Sequence, residues 1–178
     1  MRVSNDKHIL ERLKRGDKEA YTDLYNSHAN SIYRFVYFRV GSKEIAEDIM
    51  QETFLKFIDL VDLVRVTNMR AYLYRIARNL ISDSYRSKSK QEVVAIEAAY
   101  DVESVRGPES IEAGVDLQMI SKALKDVRPE WREIIILRHV ESLSYKEIAQ
   151  IMGKTSAYVR VNLHRATKAI NQYFDSHE

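Results

Sequence analysis

The chain has 178 residues, of which 45 % are hydrophobic and 30 % charged, a composition typical of a globular protein that can bury a core. It contains only five glycines and two prolines, which favours long helices over a turn-rich sheet architecture and predicts an all-α fold. The lack of cysteine excludes disulfides and thiolate metal sites, and no stretch reads as a secretory signal or a membrane span. We therefore expect a cytoplasmic protein without membrane insertion.

Charge is sorted along the chain, although the net charge is only +2. Residues 65–90 carry seven lysines and arginines against one acid, whereas residues 91–116 carry seven acids against one arginine. Residues 153–172 then carry four lysines and arginines and no acid. Two basic blocks therefore flank an acidic one, a pattern that matters more than the net charge.

Hydrophobic periodicity predicts five helices within a first domain, residues 1–90. Gly16 ends the first helix and Asp17 is a good N-cap for the second. The third ends near Gly41, and Ser42 caps the fourth. A fifth is expected from Met69 to about Arg86. The inward residues are expected to be Ile9, Leu13, Ala20, Leu24, Ile32, Phe35, Val36, Ile45, Ile49, Phe54, Phe57, Leu73, Ile76, Ala77 and Leu80.

Residues 91–115 lack a sustained apolar face and hold the acidic block, so they are predicted to be a flexible linker. Periodicity resumes with Leu117, Ile120 and Leu124, which predicts a second, smaller helical domain over residues 116–176. Pro129 is expected to open a helix in this domain.

A helix-turn-helix is predicted inside the second domain. Ser144 and Glu147 have the spacing of a capping box, which marks a helix start. Gly153 is expected to stop that helix, and Thr155 to cap the next one only a few residues later. Two helices joined this closely are typical of the helix-turn-helix arrangement.

The second helix of this pair has an apolar stripe and an opposite side rich in cations. Arginine and lysine bind phosphates, while short or amide side chains meet base edges, so Asn162 suits adenine and Val161 a thymine methyl. A merely solvated basic face is the competing interpretation, which the capping box, the tight turn and the lack of acids disfavour. The candidate DNA contacts are Thr155, Ser156, Tyr158, Arg160, Val161, Asn162, His164, Arg165 and Lys168.

Three segments carry a resemblance to a known family. Residues 137–169, LRHVESLSYKEIAQIMGKTSAYVRVNLHRATKA, resemble the promoter −35 reader of extracytoplasmic-function sigma factors. Residues 46–57, AEDIMQETFLKF, resemble the polymerase-binding helix of that family, and residues 70–86, RAYLYRIARNLISDSYR, resemble its −10 reader. With a similar opening over residues 13–25, the resemblance covers nearly the whole chain apart from the linker.

The resemblance implies an alternative sigma factor that binds core RNA polymerase and directs it to promoters, reading the −35 element as duplex and the −10 element as melted DNA. The resemblance also implies an anti-sigma factor as a partner. The implied contacts with core polymerase are Asp48, Gln51, Glu52, Phe54 and Lys56. The implied −10 contacts are Tyr72, Arg75, Arg78, Asn79, Asp83 and Arg86, with the loop Val66–Asn68 helping to hold an unstacked base.

The residues alone leave blander interpretations open for these two helices. A polar helix face is more often solvated than bound, and tyrosines and arginines often lie at the rim of a helical core. Tyrosine rings beside arginines nevertheless suit single-stranded DNA, since rings stack on bases and guanidinium groups follow phosphates.

The sequence also departs from the family pattern. Lys154 stands where the turn usually has an aliphatic residue, and Val161-Asn162 replaces a common serine-arginine pair, which predicts unusual promoter specificity. The loop over residues 60–68 lacks the arginine-glycine and tryptophan-rich character that many members show.

Two other classes of function compete with this one. A transcriptional regulator would bind duplex DNA through the second domain, while its amino-terminal helices sense a signal or dimerise. An enzyme is disfavoured because the five histidines are scattered, without an i, i+4 pair, and no glycine-rich phosphate loop occurs. We expect no catalytic residues, no cofactor and no metal.

Overall fold

A computed structural model of the chain describes residues 2–63, 66–89 and 127–175. The chain divides into two compact units, Met1–Glu97 and Ala98–Glu178. Over the described residues the regular structure consists of seven α-helices and one π-helical segment, without strands, so the predicted all-α fold is confirmed. The predicted linker, residues 91–115, and the periodic residues Leu117, Ile120 and Leu124 lie outside the described residues.

The first unit contains α1 (Arg2–Lys14), α2 (Lys18–Val40), α3 (Lys43–Val61) and α4 (Met69–Ser89). The second contains α5 (Pro129–Ile135), which continues as a π-helical segment (Ile136–Val140), then α6 (Tyr145–Met152) and α7 (Ser156–Asp175). None of the helices in the described parts of the chain has both the length and the apolar character needed to cross a bilayer.

Three helix ends in the first unit lie where the sequence predicts them. The Asp17 side chain accepts a hydrogen bond from the Glu19 backbone N–H at 2.9 Å, and this caps α2. Gly41 closes the same helix with a φ of 69°, a left-handed conformation that glycine adopts without steric cost. Ser42 then caps α3 through the Ile45 N–H.

The prediction of separate second and third helices is wrong, because α2 runs unbroken through both. The polar stretch that interrupts its periodicity contains His28, which is only 7 % exposed. Its Nε2 lies 3.0 Å from the Asp6 carboxylate on α1. Asp6 on α1 therefore provides a hydrogen-bond partner for the buried His28 side chain. The polar residue lies inside a continuous helix and does not mark a turn.

The core of the first unit lies where α2 packs against α3 and α4, with α1 packed on α2. Aromatic side chains dominate it, and Phe35 meets Tyr74 edge to face at 5.2 Å. The predicted inward residues are buried, with the exception of half-buried Ile45. The largest fully buried side chains of this unit include Phe35, Tyr37, Phe38, Phe54, Phe57 and Tyr74.

In the second unit α7 packs against both α5 and α6. The predicted opening of α5 at Pro129 is confirmed. Beyond Ile135 the backbone widens, and the Glu141 N–H donates to the Ile136 carbonyl five residues back at 3.0 Å. Ser142 follows with a φ of 54°, the one positive φ outside glycine among the described residues.

Candidate nucleic-acid interface

The predicted capping box is present at the start of α6. The Ser144 hydroxyl accepts from the Glu147 N–H at 3.3 Å, and the Ser144 N–H donates to the Glu147 carboxylate at 2.9 Å. Gly153 ends α6 with a φ of 65°. Thr155 then caps α7 by accepting from the Tyr158 N–H at 3.1 Å. The short turn and the packing of α6 on α7 confirm the predicted helix-turn-helix.

Most of the predicted DNA-contacting side chains of α7 share a solvent-accessible face. Val161 is 48 % exposed in the middle of that face. The α7 sequence contains no acid before Asp175, so this face is cationic. The exposed members are Thr155, Arg160, Val161, His164, Arg165 and Lys168, and the half-buried ones are Ser156 and Tyr158.

Asn162 does not belong to this face, contrary to the expectation that it presents its amide to a base. It is only 8 % exposed. Its Oδ1 accepts from Trp131 Nε1 at 3.1 Å, and its Nδ2 donates to the Tyr158 carbonyl at 3.0 Å. Both ends of the amide are therefore used within the protein.

Two cation–aromatic groups surround the helix-turn-helix. The guanidinium groups of Arg138 and Arg160 lie 4.9 and 5.7 Å from the centre of the Tyr145 ring. Lys154 Nζ lies 5.1 Å from the centre of the Tyr158 ring. The sequence interpretation missed Arg138 and Tyr145, since nothing in their spacing indicates that they meet beside Arg160.

The carboxylate of Glu130, in the first turn of α5, raises the pKa of Tyr158 above its ordinary value, because a carboxylate that can accept from the phenol stabilises its protonated form. In the opposite sense, partial desolvation, reinforced by the positive charge of Arg138, lowers the pKa of His139.

On α3, the residues expected to contact polymerase divide between surface and core. Asp48, Gln51, Glu52 and Lys56 are exposed, and Lys56 Nζ lies 3.0 Å from the Glu52 carboxylate. Phe54 is instead fully buried, with its ring centre 5.1 Å from that of Tyr25 on α2, so it lies in the core and not on the surface expected to contact polymerase.

Leu55 is the residue that the sequence interpretation missed on this surface. It is 60 % exposed, next to Glu52 and Gln51 in helical spacing. We call Asp48, Gln51, Glu52, Leu55 and Lys56 the α3 face.

The predicted −10 contacts lie along α4. Arg75, Asn79, Asp83 and Arg86 recur at three- and four-residue spacing and are exposed, and Asp83 and Arg86 approach to 3.6 Å. Arg78 is half-buried.

Tyr72 is also half-buried. Its ring centre lies 6.0 Å from that of Phe57 in the core, and the Arg75 guanidinium lies 4.9 Å from the Tyr72 ring centre on the outer side. Tyr72 and Arg75 therefore join an aromatic surface to a cation, as contact with single-stranded DNA requires.

The loop before α4 is more engaged in the fold than expected. Val66 is buried, and the Asn68 side chain caps α4 by accepting from the Ala71 N–H at 2.9 Å. Of the three residues predicted to hold a base, Thr67 alone is exposed. On α4 itself, the Tyr85 hydroxyl donates to the Arg39 carbonyl at the end of α2.

In the portions of the chain that the structure covers, no three histidine or acidic side chains are grouped so that they could hold a metal ion. The candidate sites are therefore exposed surfaces: the helix-turn-helix in the second unit and the polar sides of α3 and α4 in the first.

The sequence matches two models of one protein class, Sigma-70 region 2 over residues 24–91 and Sigma-70 region 4 over residues 117–170. Each of these regions falls in one of the two units. The chain is therefore built of two regions characteristic of sigma-70-type proteins.

Full-length relatives narrow this class to a family. The chain is 30 % identical to the ECF RNA polymerase sigma factor SigL of Mycobacterium tuberculosis, over 83 % of this chain and 84 % of SigL. It is 31 % identical to the ECF sigma factor BldN of Streptomyces coelicolor, over 91 % of this chain and 63 % of BldN. The chain belongs to the ECF RNA polymerase sigma factors. It spans less than two thirds of the length of BldN.

Two solved structures share the fold. The structure of CnrH in complex with the cytosolic domain of CnrY has a TM-score of 0.71 at 21 % identity, covering 97 % of this chain and 99 % of that one. The sigma factor RpoE of Bartonella quintana, in complex with the anti-sigma factor NepR, has a TM-score of 0.69 at 23 % identity, covering 87 % of this chain and 96 % of that one.

Proposed function

We propose that this chain is an alternative sigma factor that binds core RNA polymerase and directs it to specific promoters. The observation that carries the proposal is the presence of both sigma-70 regions on one chain, the second with an acid-free, exposed face on a helix-turn-helix. In this role the first domain, residues 1–90, binds polymerase and melted DNA. The domain over residues 116–176 binds duplex DNA, and the acidic linker over residues 91–115 joins them.

Duplex recognition at the −35 element is assigned to α7. Arg160, Arg165 and Lys168 supply cations for backbone phosphates, which position the helix without reading sequence. Val161, being half exposed between them, is the apolar side chain available to a thymine methyl in the major groove. Release of counterions from the phosphates makes this step sensitive to salt.

Capture of the melted −10 element is assigned to α4. Tyr72 offers a ring that is supported from behind by Phe57, and Arg75 lies over its outer side. Asn79, Arg78, Asp83 and Arg86 continue along the helix, with Asp83 and Arg86 toward the template or duplex edge. A base stacked in place of Arg75 would leave that guanidinium free to follow the adjoining phosphate.

Binding to core polymerase is assigned to the α3 face. Its charged members are exposed and surround an apolar side chain, Leu55, a combination that suits a protein partner better than nucleic acid. The nearby acids on α3 would repel phosphates, which separates this face from the DNA-binding ones.

The proposed activity consists of binding alone, so it requires neither a catalytic residue nor a cofactor, and it takes place where polymerase works, in the cytoplasm. The RpoE relative was solved with an anti-sigma factor. We propose that an anti-sigma factor also binds this chain.

Run-off transcription tests the proposal. Core RNA polymerase with this chain should initiate at discrete sites on a bacterial genomic library, and sequencing of the 5′ ends of the transcripts identifies the promoter elements. If no transcript depends on the chain, the proposal is wrong. A transcriptional regulator would differ by binding duplex DNA without associating with core polymerase.

A pair of double variants tests the polymerase-binding surface. Gln51→Ala with Glu52→Ala should weaken binding to core polymerase while leaving the thermal unfolding temperature unchanged, because both side chains are exposed. The matched control is Asn30→Ala with Glu11→Ala, which removes one exposed amide and one exposed acid from other helices. Equal losses from both pairs would contradict the assignment.

A further inference from the structure

The first turn of α5 is attached to α7 by a side-chain hydrogen bond. Trp131 Nε1 donates to Asn162 Oδ1 at 3.1 Å. The other end of the same amide is held on α7 itself, because Asn162 Nδ2 donates to the Tyr158 carbonyl, one turn earlier, at 3.0 Å. We call Trp131, Tyr158 and Asn162 the brace.

This hydrogen bond lies within a packed contact, since α7 packs against both α5 and α6. Apolar packing is non-directional, whereas the bond from the indole to the amide requires Asn162 to point toward α5, so it limits the rotation of α7 about its own axis. Successive residues on an α-helix differ by about 100° in direction, so a rotation of α7 by a fraction of that angle changes which side chains meet the groove. The neighbours on either side of Asn162 are Val161 and Leu163, the first exposed and the second buried.

Asn162 cannot both serve the brace and read a base. A bidentate contact with adenine needs the Oδ1 and the Nδ2 of the amide together. In this chain Oδ1 is used by Trp131 and Nδ2 by the Tyr158 carbonyl, and the residue is buried. Breaking both bonds would leave the indole N–H and the amide to be satisfied elsewhere.

We propose that Trp131 and Asn162 are positioning residues for −35 recognition, which set the rotation of α7 and so determine which side chains face the bases. This inference rests on the proposed function. It assigns promoter specificity in part to a residue of α5, 31 positions before its partner in α7. On this proposal Asn162 affects base preference without touching DNA.

The test compares Trp131→Phe, Asn162→Ala and the double variant, measured by equilibrium binding of the full chain to a panel of −35 duplexes with every single base-pair substitution. Each single variant should reduce discrimination at several base pairs by between about twofold and tenfold, the range of one hydrogen bond. The double variant should lose no more than either single one, because both remove the same bond.

The matched control is Thr167→Val, which removes a side-chain hydrogen bond to the Leu163 carbonyl within α7 but leaves the brace intact. It should keep the wild-type discrimination. Binding to unrelated duplex at low salt should be the same for all variants, because phosphate contacts do not depend on which base edges are read. A merely structural role would lower the unfolding temperature without changing the pattern of base preference.

If Asn162→Ala loses discrimination at one base pair only, while Trp131→Phe behaves as the wild type, Asn162 is a direct reader and the proposal is overturned. A second measurement needs no DNA. Trp131 is the single tryptophan, so its indole N–H gives one resolved NMR signal. Hydrogen exchange of this signal should accelerate in Asn162→Ala, and unchanged exchange overturns the brace. Failure of the wild-type chain to direct transcription, in contrast, overturns the proposed function and leaves this signal unaffected.

Discussion

Leu55 provides the sharpest test of the α3 face, because its role differs from that of the adjacent Phe54. Full burial of a leucine side chain contributes about 1.5–3 kcal/mol. Leu55 is 60 % exposed, so covering that surface with polymerase would contribute about 1–2 kcal/mol, which corresponds to about five- to thirtyfold in Kd. The substitution Leu55→Gln removes this apolar surface and keeps a good helix former. We expect core polymerase to bind this variant about five- to thirtyfold more weakly.

The assay is competition between labelled wild-type chain and each unlabelled variant for core polymerase, with thermal unfolding measured in parallel. Leu55→Gln should unfold at the wild-type temperature. Leu63→Gln, at a leucine 77 % exposed beyond the end of α3, is the surface control and should change neither quantity. Phe54→Ala should instead destabilise the first unit by about 3–5 kcal/mol, because it empties a core site. Wild-type affinity of Leu55→Gln would refute the reasoning.

Three further outcomes are expected. Ser144→Ala removes the capping box with Glu147 and should destabilise the second unit by about 1 kcal/mol, or roughly 4–8 °C in Tm, measured by differential scanning calorimetry. Arg165→Ala should reduce the slope of log K against log salt for −35 duplex binding by about 0.9, one phosphate contact. Hydrogen bonding to Arg12 lowers the pKa of Asp17, so Asp17→Asn should lower the free energy of unfolding at neutral pH, measured by urea unfolding. This difference in stability should shrink as the pH falls below about 3.9.

The expected pH dependence of the Asp17→Asn effect follows from the lowered pKa of Asp17. A carboxylate that is more acidic in the folded chain stabilises it above the unfolded pKa, and this contribution is lost as the pH falls toward the folded value. Asparagine also caps helices well, so the substitution removes the charge and preserves the cap. A destabilisation that stays constant down to pH 2 would contradict the ion pair. The control for Ser144→Ala is Ser144→Asp, which keeps a capping side chain and should retain the stability of the second unit. The control for Arg165→Ala is Lys18→Ala, which should leave the slope of log K against log salt for −35 duplex binding unchanged.

The features that could be predicted from the sequence are local ones. Asp17, Gly41, Ser42, Ser144 and Gly153 act within three or four residues, where short polar side chains meet free backbone donors or glycine adopts a positive φ. Because these signals depend on neighbouring residues alone, the helix ends and the helix-turn-helix follow from the sequence with little knowledge of the rest of the chain.

Three departures from the sequence predictions involve contacts that are distant in sequence. The break expected within α2 depends on His28, whose partner Asp6 is 22 residues away. The direction of Asn162 depends on Trp131, 31 residues away. Periodicity places Phe54 inward, and the expectation that it contacts polymerase comes from the resemblance; its contact with Tyr25 on α2 holds it in the core, while the adjacent Leu55 is exposed.

The contrast in charge between two exposed helices bears on how the chain behaves among large amounts of unrelated DNA. The cations exposed on α7 attract phosphates, while the acids exposed along α3, including Glu44, Asp48 and Glu52, repel them. We therefore expect non-specific DNA to occupy the exposed side of α7 and to leave the α3 face vacant. Under the proposed function, a copy held on the chromosome by α7 remains open to capture by polymerase, so the genome acts as a reservoir of this chain and not as a competitor for its polymerase-binding surface.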